Sequence, residues 1–168
     1  MDALLIIDML NDFVEEWGAL YVPQAKRIIP AIKKKLDEAR KKGIPVFFIC
    51  DAHKPDDPEF RYWPRHAIDG EKGAAIIKEL RPQEGEYIIK KVSYSGFFRT
   101  ELERRLREHG VKRLILTGVL TNICVLYTGV DALMRGYEVE VDPDAVAALT
   151  DEDHRFALRQ LKEVLKPR

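Results

Sequence analysis

The feature that most constrains this chain is the run from Arg113 to Gly136, RLILTGVLTNICVLYTGVDALMRG. Its head, Leu114-Ile115-Leu116, is continuously apolar, the pattern of a parallel strand buried on both faces. Gly118 reads as the break that ends this strand, and Thr121-Asn122 supplies residues that cap helices. A second apolar pattern follows at helical spacing, with Ile123, Tyr127, Val130 and Met134 on one stripe. Gly136 closes it as a C-terminal cap residue does. Cys124 therefore falls in the first turn of a helix entered from a buried strand through a tight turn. Unpaired backbone N–H groups and the positive end of the helix dipole stabilise a thiolate there. Strand, turn, nucleophile and helix in this order make the arrangement of a nucleophile elbow, with Cys in the place of Ser. A free Cys is also a common small core residue, and this stretch alone leaves both readings open.

A chain of 168 residues fits one domain, residues 1–168, with one substantial core, and no linker-like stretch divides it. Positive and negative side chains balance at 28 each, so no net field draws nucleic acid or an anionic membrane. A third of the residues are charged, a composition that suits a heat-stable protein. Cys50 and Cys124 form no CxxC pair. With no signal-peptide pattern and no long apolar span, the expected setting is a reducing cytoplasm with free thiols.

Taken in order, Ala3–Ile7 is a buried-strand pattern that ends in Asp8, a carboxylate where ligands bind in open α/β sheets. Asp8 could equally cap the turn that follows. Phe13, Trp17 and Tyr21 in the next loop either line a pocket or cover the sheet. Ile28, Ile32, Leu36 and Ala39 mark a helix within residues 24–42, ended by Gly43, with Pro30 expected to delay or bend its start. Pro45–Cys50 is a second buried strand, ending in Asp51-Ala52-His53. Asp51 and His53, two apart in extended backbone, project to one side and can converge on a divalent metal, with His66 in Trp63-Pro64-Arg65-His66 as a third candidate ligand. An isolated Asp-x-His pair can also simply bond internally.

Residues 73–80 read as a short helix and 86–92 as a third strand, with Lys90 and Lys91 at its end on opposite sides. Thr100 and Glu103 suggest a capping box, with Leu102 and Leu106 on the buried stripe. Tyr137–Val141 is a last strand of alternating burial, nearer an edge. Thr150 with Asp153 opens a final helix carrying Phe156, Leu158, Leu161 and Leu165, with His154 on its surface. Alternating strands and helices predict a three-layer α/β/α domain, a doubly wound and mostly parallel sheet of five or six strands. In such a sheet Asp8, Asp51, Lys91 and Cys124 share the edge where the switch-point crevice lies.

These residues carry a family resemblance. Leu5–Phe13, Asp51-Ala52-His53, Trp63–His66, Lys91–Phe97 with Thr100–Leu102, and Thr117–Val125 together resemble the isochorismatase-like cysteine hydrolases, most closely their nicotinamidase/pyrazinamidase branch. The resemblance implies an Asp8–Lys91–Cys124 triad, Lys91 being chosen over Lys90 because it stands four residues before Ser95 of Ser95-Gly96-Phe97. It implies a cis peptide joining Val119 to Leu120, and an oxyanion hole from the backbone N–H groups of Leu120 and Cys124. It also implies a divalent metal, zinc first and manganese or iron as alternatives, on Asp51, His53 and His66. Phe13 and Trp63 would be aromatic walls for a flat ring. The activity implied is hydrolysis of a small carboxamide through a Cys124 thioester, Lys91 and the helix terminus favouring the thiolate and Asp8 moving the proton. A homo-oligomer, dimer or tetramer, goes with the likeness.

Isochorismate hydrolysis is the nearest alternative, and Cys124 argues against it because that chemistry needs an acid and no nucleophile. N-carbamoyl amide hydrolysis keeps the triad, and His53 and His66 argue against it. A phospho-receiver domain would want paired acids after its first strand and an Asp on its third, where this chain has lysines. A catalytically dead binding module would not need an intact triad. Two departures stand out: Gly129 where relatives more often have Ala, implying looser packing, and a compact segment between His66 and Lys91.

Overall fold

The continuous apolar runs become the inner strands of a sheet covered on both faces. In the computed structural model, which describes residues 1–168, β1 (Asp2–Ile7), β2 (Val46–Asp51), β3 (Tyr87–Lys91), β4 (Arg113–Val119) and β5 (Glu138–Ala147) lie in the order β3-β2-β1-β4-β5. All neighbouring pairs are parallel. The chain steps outward from β1 through β2 to β3, then returns to place β4 on the other side of β1. The carboxyl ends of β1 and β4 therefore flank the switch point, where the connections diverge and leave a crevice.

Alternation along β1 divides the core in two. Leu4 and Ile6, with Val46 and Phe48 of β2, face α2 (Ala25–Lys42), which presents Ile28, Ile32, Leu36 and Ala39. Ala3, Leu5 and Ile7, with Phe47 and Leu116, face α3 (Leu102–Glu108), α4 (Leu126–Met134) and α5 (Asp151–Arg159). Each fully buried aliphatic or aromatic side chain in these layers contributes about 1.5–3 kcal/mol. The short α1 (Asn11–Val14) is a single turn at the end of β1 and buries Phe13 and Val14. The three-layer α/β/α expectation holds, with five strands.

Several local expectations do not. Gly118 lies inside β4, paired with Ile7 on one side and Val146 on the other. With φ at +107° and an added Cβ only 1.9 Å from the Ile7 carbonyl oxygen, the position excludes any side chain. α2 begins before Pro30, which sits on its exposed face, so the carbonyl that loses an N–H partner has solvent access. Residues 72–74 and 78–80 are two tight 3₁₀ turns separated by a bridge between Leu10 and Ile76, in place of one helix. Thr100 accepts from the Leu102 N–H and donates to the Gly96 carbonyl, so the proposed box with Glu103 does not form. At Thr150 the expected cap does form, since its hydroxyl accepts from the Asp153 N–H and donates to the Asp153 carboxylate.

The apolar stripe expected on this segment is only half inward: Ile123 and Val130 pack against the core, while Tyr127 is 49% and Met134 57% exposed. The buried side is Leu126, Thr128, Gly129, Ala132 and Leu133, and small residues there let the helix sit close to the sheet. Gly129 does not loosen this packing. A Cβ there would come within 2.6 Å of Cδ2 of Leu161, so the glycine admits a side chain from the C-terminal segment. That segment buries Ala157 and Leu161 and leaves Phe156 exposed.

Candidate active site

Four strand ends deliver the reactive groups. Asp8 follows β1 directly, with φ of +51°, a left-handed conformation that costs an aspartate energy and is held by its surroundings. Its Oδ1 accepts from the Asp51 N–H at 2.8 Å, tying the ends of β1 and β2 together. Lys91 is the last residue of β3 and Asp51 the last of β2, and the two are register partners. Alternation turns Lys91 inward, 1% exposed, and Lys90 outward to pair with Asp69 at 2.7 Å. Beyond β4 the chain passes the cis Val119–Leu120 peptide into one wide helical turn, Thr121–Val125, that leads into α4 and carries Cys124.

Lys91 is the hub of the group. Its Nζ lies 2.9 Å from Asp8 Oδ2 and 3.4 Å from Cys124 Sγ, and it also bonds Asp51 Oδ1 and the Ser93 carbonyl. Burial disfavours its charge, but Asp51 and Asp8 outweigh that and hold it firmly protonated. Burial, reinforced by Asp51 and opposed by Lys91, lifts the Asp8 carboxyl to about 6. Burial likewise pushes the Cys124 thiol well above its ordinary range, with Lys91 pulling the other way and Asp8 and Asp51 adding to the rise. Burial, Asp8 and Asp51 thus favour the neutral thiol, while the Lys91 ammonium favours the thiolate.

A second group adjoins the first through Asp51. Asp51 Oδ2 is 3.6 Å from Nε2 of both His53 and His66. Each imidazole is oriented from behind: His53 Nδ1 bonds the Asp57 carboxylate at 3.0 Å and His66 Nδ1 the Pro64 carbonyl at 2.6 Å. Both Nε2 atoms are thereby left free to face inward, as a hydrogen bond behind the ring fixes a histidine that binds a metal. Burial lowers the pKa of both rings, but Asp51 with Glu59 and Asp57 carries His53 to about 10, and Asp51 with the Pro64 carbonyl raises His66. His53 Nε2 and Glu59 Oε2 are buried, 2.9 Å apart, and without any hydrogen bond of acceptable geometry. Orphaned polar atoms of this kind are rare, and these face a spot bounded by two imidazoles and a carboxylate. The donor set suits a divalent zinc, manganese or iron ion.

Three residues here were absent from the sequence-based expectation. Glu59 lies on the tight turn Pro58–Arg61 and Asp57 caps its start, accepting from the Glu59 N–H at 2.9 Å. Asp57-Pro58, a cap residue followed by Pro at the first helical position, is a legible signal for that turn. Asp12 accepts from the Ala67 N–H at 2.7 Å and so pins the strand of loop that holds His66. The Gly73 backbone packs so close that a Cβ there would lie 2.2 Å from the Asp12 carboxylate.

A cavity of about 250 Å³ opens onto both groups. Phe13, Tyr21, Trp63, Tyr94, Ile123 and Leu149 contribute apolar wall, while Asp8, Asp51, Glu59, His66 and Cys124 supply its polar end. Phe13 meets the His66 ring edge-on at 5.6 Å, and Trp63 Nε1 donates to the Tyr94 hydroxyl at 3.3 Å. Phe13 and Trp63 are therefore walls, as expected, and Tyr21 joins them, whereas Trp17 lies outside under Lys72. His154, expected on the surface, is partly buried, with Nδ1 2.9 Å from the hydroxyl of Thr121. Cys50 is buried core, its thiol raised by burial.

Comparison with known proteins gives the same outline. The isochorismatase domain family matches residues 2–167. The pyrazinamidase/nicotinamidase of Streptococcus mutans UA159 is 38% identical, with a TM-score of 0.93 over 98% of this chain and 97% of that one. The N-carbamoylsarcosine amidase of Thermoplasma acidophilum is 39% identical, with a TM-score of 0.89 over 95% and 91%. The pyrazinamidase of Pyrococcus horikoshii, solved in complex with zinc, is 35% identical, with a TM-score of 0.93 over 99% and 97%. No helix is long and apolar enough to cross a membrane.

Proposed function

The chain belongs to the isochorismatase family of hydrolases, with nicotinamidase and pyrazinamidase structures among its homologues, and from that premise we propose that it is a cysteine amidohydrolase acting on a small, flat, uncharged carboxamide of the nicotinamide or pyrazinamide type. The observation that carries this reading is the convergence of Asp8, Lys91 and Cys124 at the polar end of a cavity whose other walls are aromatic and aliphatic side chains, a shape that suits a flat apolar ring carrying a carboxamide.

In the proposed sequence Asp8 accepts the thiol proton as Cys124 Sγ attacks the amide carbon, and Lys91, 3.4 Å from sulfur, stabilises the negative charge as it forms. A base of pKa about 6 suits this task, being ionised at neutral pH yet basic enough to share the proton. Backbone N–H groups of Leu120 and Cys124 receive the oxyanion. Asp8 returns its proton to the leaving nitrogen, ammonia departs, and Asp8 then takes a proton from the water that cleaves the thioester. Phe13 and Trp63 hold the ring flat, so the amide is presented to the sulfur and not to solvent. Asp51, His53 and His66 would hold a divalent ion, which when bound offers a ring nitrogen a coordination position and so fixes the substrate's orientation.

Ammonia release from nicotinamide and pyrazinamide tests the reading, with wild type and Cys124→Ala each chelated and then reloaded with Zn²⁺, Mn²⁺ or Fe²⁺. Release that depends on both Cys124 and metal is the expected result. No release from either amide by folded, metal-loaded protein would sink the substrate assignment, and N-carbamoyl compounds, which the 39% identical Thermoplasma amidase brings forward, would be assayed next.

A further inference from the structure

The turn that carries the nucleophile is tethered from one side only by main chain. Thr121 opens it, immediately after Leu120, and is fully buried. No side chain caps this turn, and the Leu120 carbonyl alone receives the N–H groups of both Ile123 and Val125. The Thr121 hydroxyl has one side-chain partner, His154 Nδ1 at 2.9 Å, reaching across from the first turn of α5. α5 in turn is anchored by little: Ala157 is its only buried residue, with Leu161 beyond its end. Its entry is fixed by the Thr150–Asp153 cap, one residue past Leu149 of the cavity wall. One partly buried side-chain hydrogen bond thus joins the nucleophile turn to the helix that follows Leu149 of the cavity wall.

We propose that His154 is a positioning residue that acts through Thr121, holding the turn so that Cys124 Sγ stays within reach of Lys91 and Asp8. The role rests on the reading of Cys124 as nucleophile, and it touches neither substrate nor metal group. Burial favours the uncharged imidazole, against Asp151 and Asp144 and with Lys162, so the bond is a neutral one in which either tautomer can take part. Without the imidazole the hydroxyl is left buried and unpaired, and the turn relaxes until it finds another partner.

The test reads the sulfur directly. Alkylation of Cys124 by iodoacetamide is followed by peptide mass mapping, which separates it from Cys50, alongside kcat and KM for the amide. His154→Leu and Thr121→Val, which preserves the side-chain volume, should each slow Cys124 alkylation and lower kcat about 5- to 30-fold, with KM changed less. His154→Asn, which keeps a hydrogen-bonding atom near the place of Nδ1, should return both to within about threefold of wild type. The double variant His154→Leu/Thr121→Val should lose no more than either single one, because both remove the same bond. Rates within twofold of wild type in His154→Leu or Thr121→Val overturn the proposal, as does His154→Asn falling as far as His154→Leu. Absence of ammonia release with this alkylation pattern intact would sink the substrate reading and leave the positioning role standing.

Discussion

Cys124 and the Asp51–His53–His66 group open onto one cavity, yet the first is carried between two regular elements and both histidines of the second by irregular chain. Cys124 lies between a strand paired on both sides and a helix packed glycine-close to the sheet. His53 and His66 come from irregular chain between β2 and β3, and each depends on one bond behind its ring. Phe60 sets its ring 5.4 Å and 5.6 Å from the two imidazoles and gives them a common buttress. Each side leaves buried polar atoms without a hydrogen bond of acceptable geometry: Asp8 Oδ2, ion-paired with Lys91 at 2.9 Å, on the nucleophile side, and His53 Nε2 with Glu59 Oε2 on the imidazole side.

Four experiments would break or sharpen this contrast. Cys124→Ala should lower turnover by about 10⁴-fold or more, while zinc affinity in a competition titration stays at the wild-type value. Loss of metal binding in that variant would mean the two sides are not separately built. Gly118→Ala should cost about 3 kcal/mol or more, because the added methyl meets the Ile7 carbonyl and φ is already left-handed. A urea midpoint unchanged by it would show that β4 can yield. Asp57→Asn should weaken zinc binding about 10- to 100-fold by freeing the His53 ring, with Cys124 alkylation unaltered. Equal effects on both readouts would contradict the division.

The smallest effect concerns the carboxylate that both sides touch. In chelated protein the Asp8 carboxyl should titrate near 6, about two units above an ordinary aspartate, and ¹³C NMR of labelled protein can follow it. The folded pKa exceeds the unfolded one, so the contribution of Asp8 to stability is fully present below about pH 4 and lost as pH rises through 6. Turnover has the opposite sign: the base form disappears below about 6, and the rate falls with it. A midpoint near 4 would mean that Lys91 outweighs burial and Asp51.

How much of this was legible depended on whether a local pattern or a distant neighbour decided the outcome. Asp8, Asp51 and Lys91 could be read because period-two alternation and strand ends are local properties, and Cys124 because a strand, a turn and a cap signal precede it. The outward turn of Tyr127 and Met134 on α4 could not. Apolar residues at helical spacing fall on both sides of that helix, and the side with small residues won because close approach to the sheet buries more surface than Tyr127 or Met134 could. Gly118 and Gly129 were misread for the same reason. Their meaning lies in Ile7 and Leu161, far away in sequence. His154 and Thr121, 33 residues apart, carry no local sign of each other at all.

Asp51 turns one oxygen to Lys91 and the other to the two imidazoles. In terms of descent, this fixes the order in which such a site can be taken apart. A lineage that abandons the ion can lose His53 or His66 singly, since each serves only one side. Losing Asp51 as well would strip Lys91 of a counter-charge still needed beside the sulfur. The aspartate is therefore the residue of the three whose loss would cost most, because it alone serves both sides.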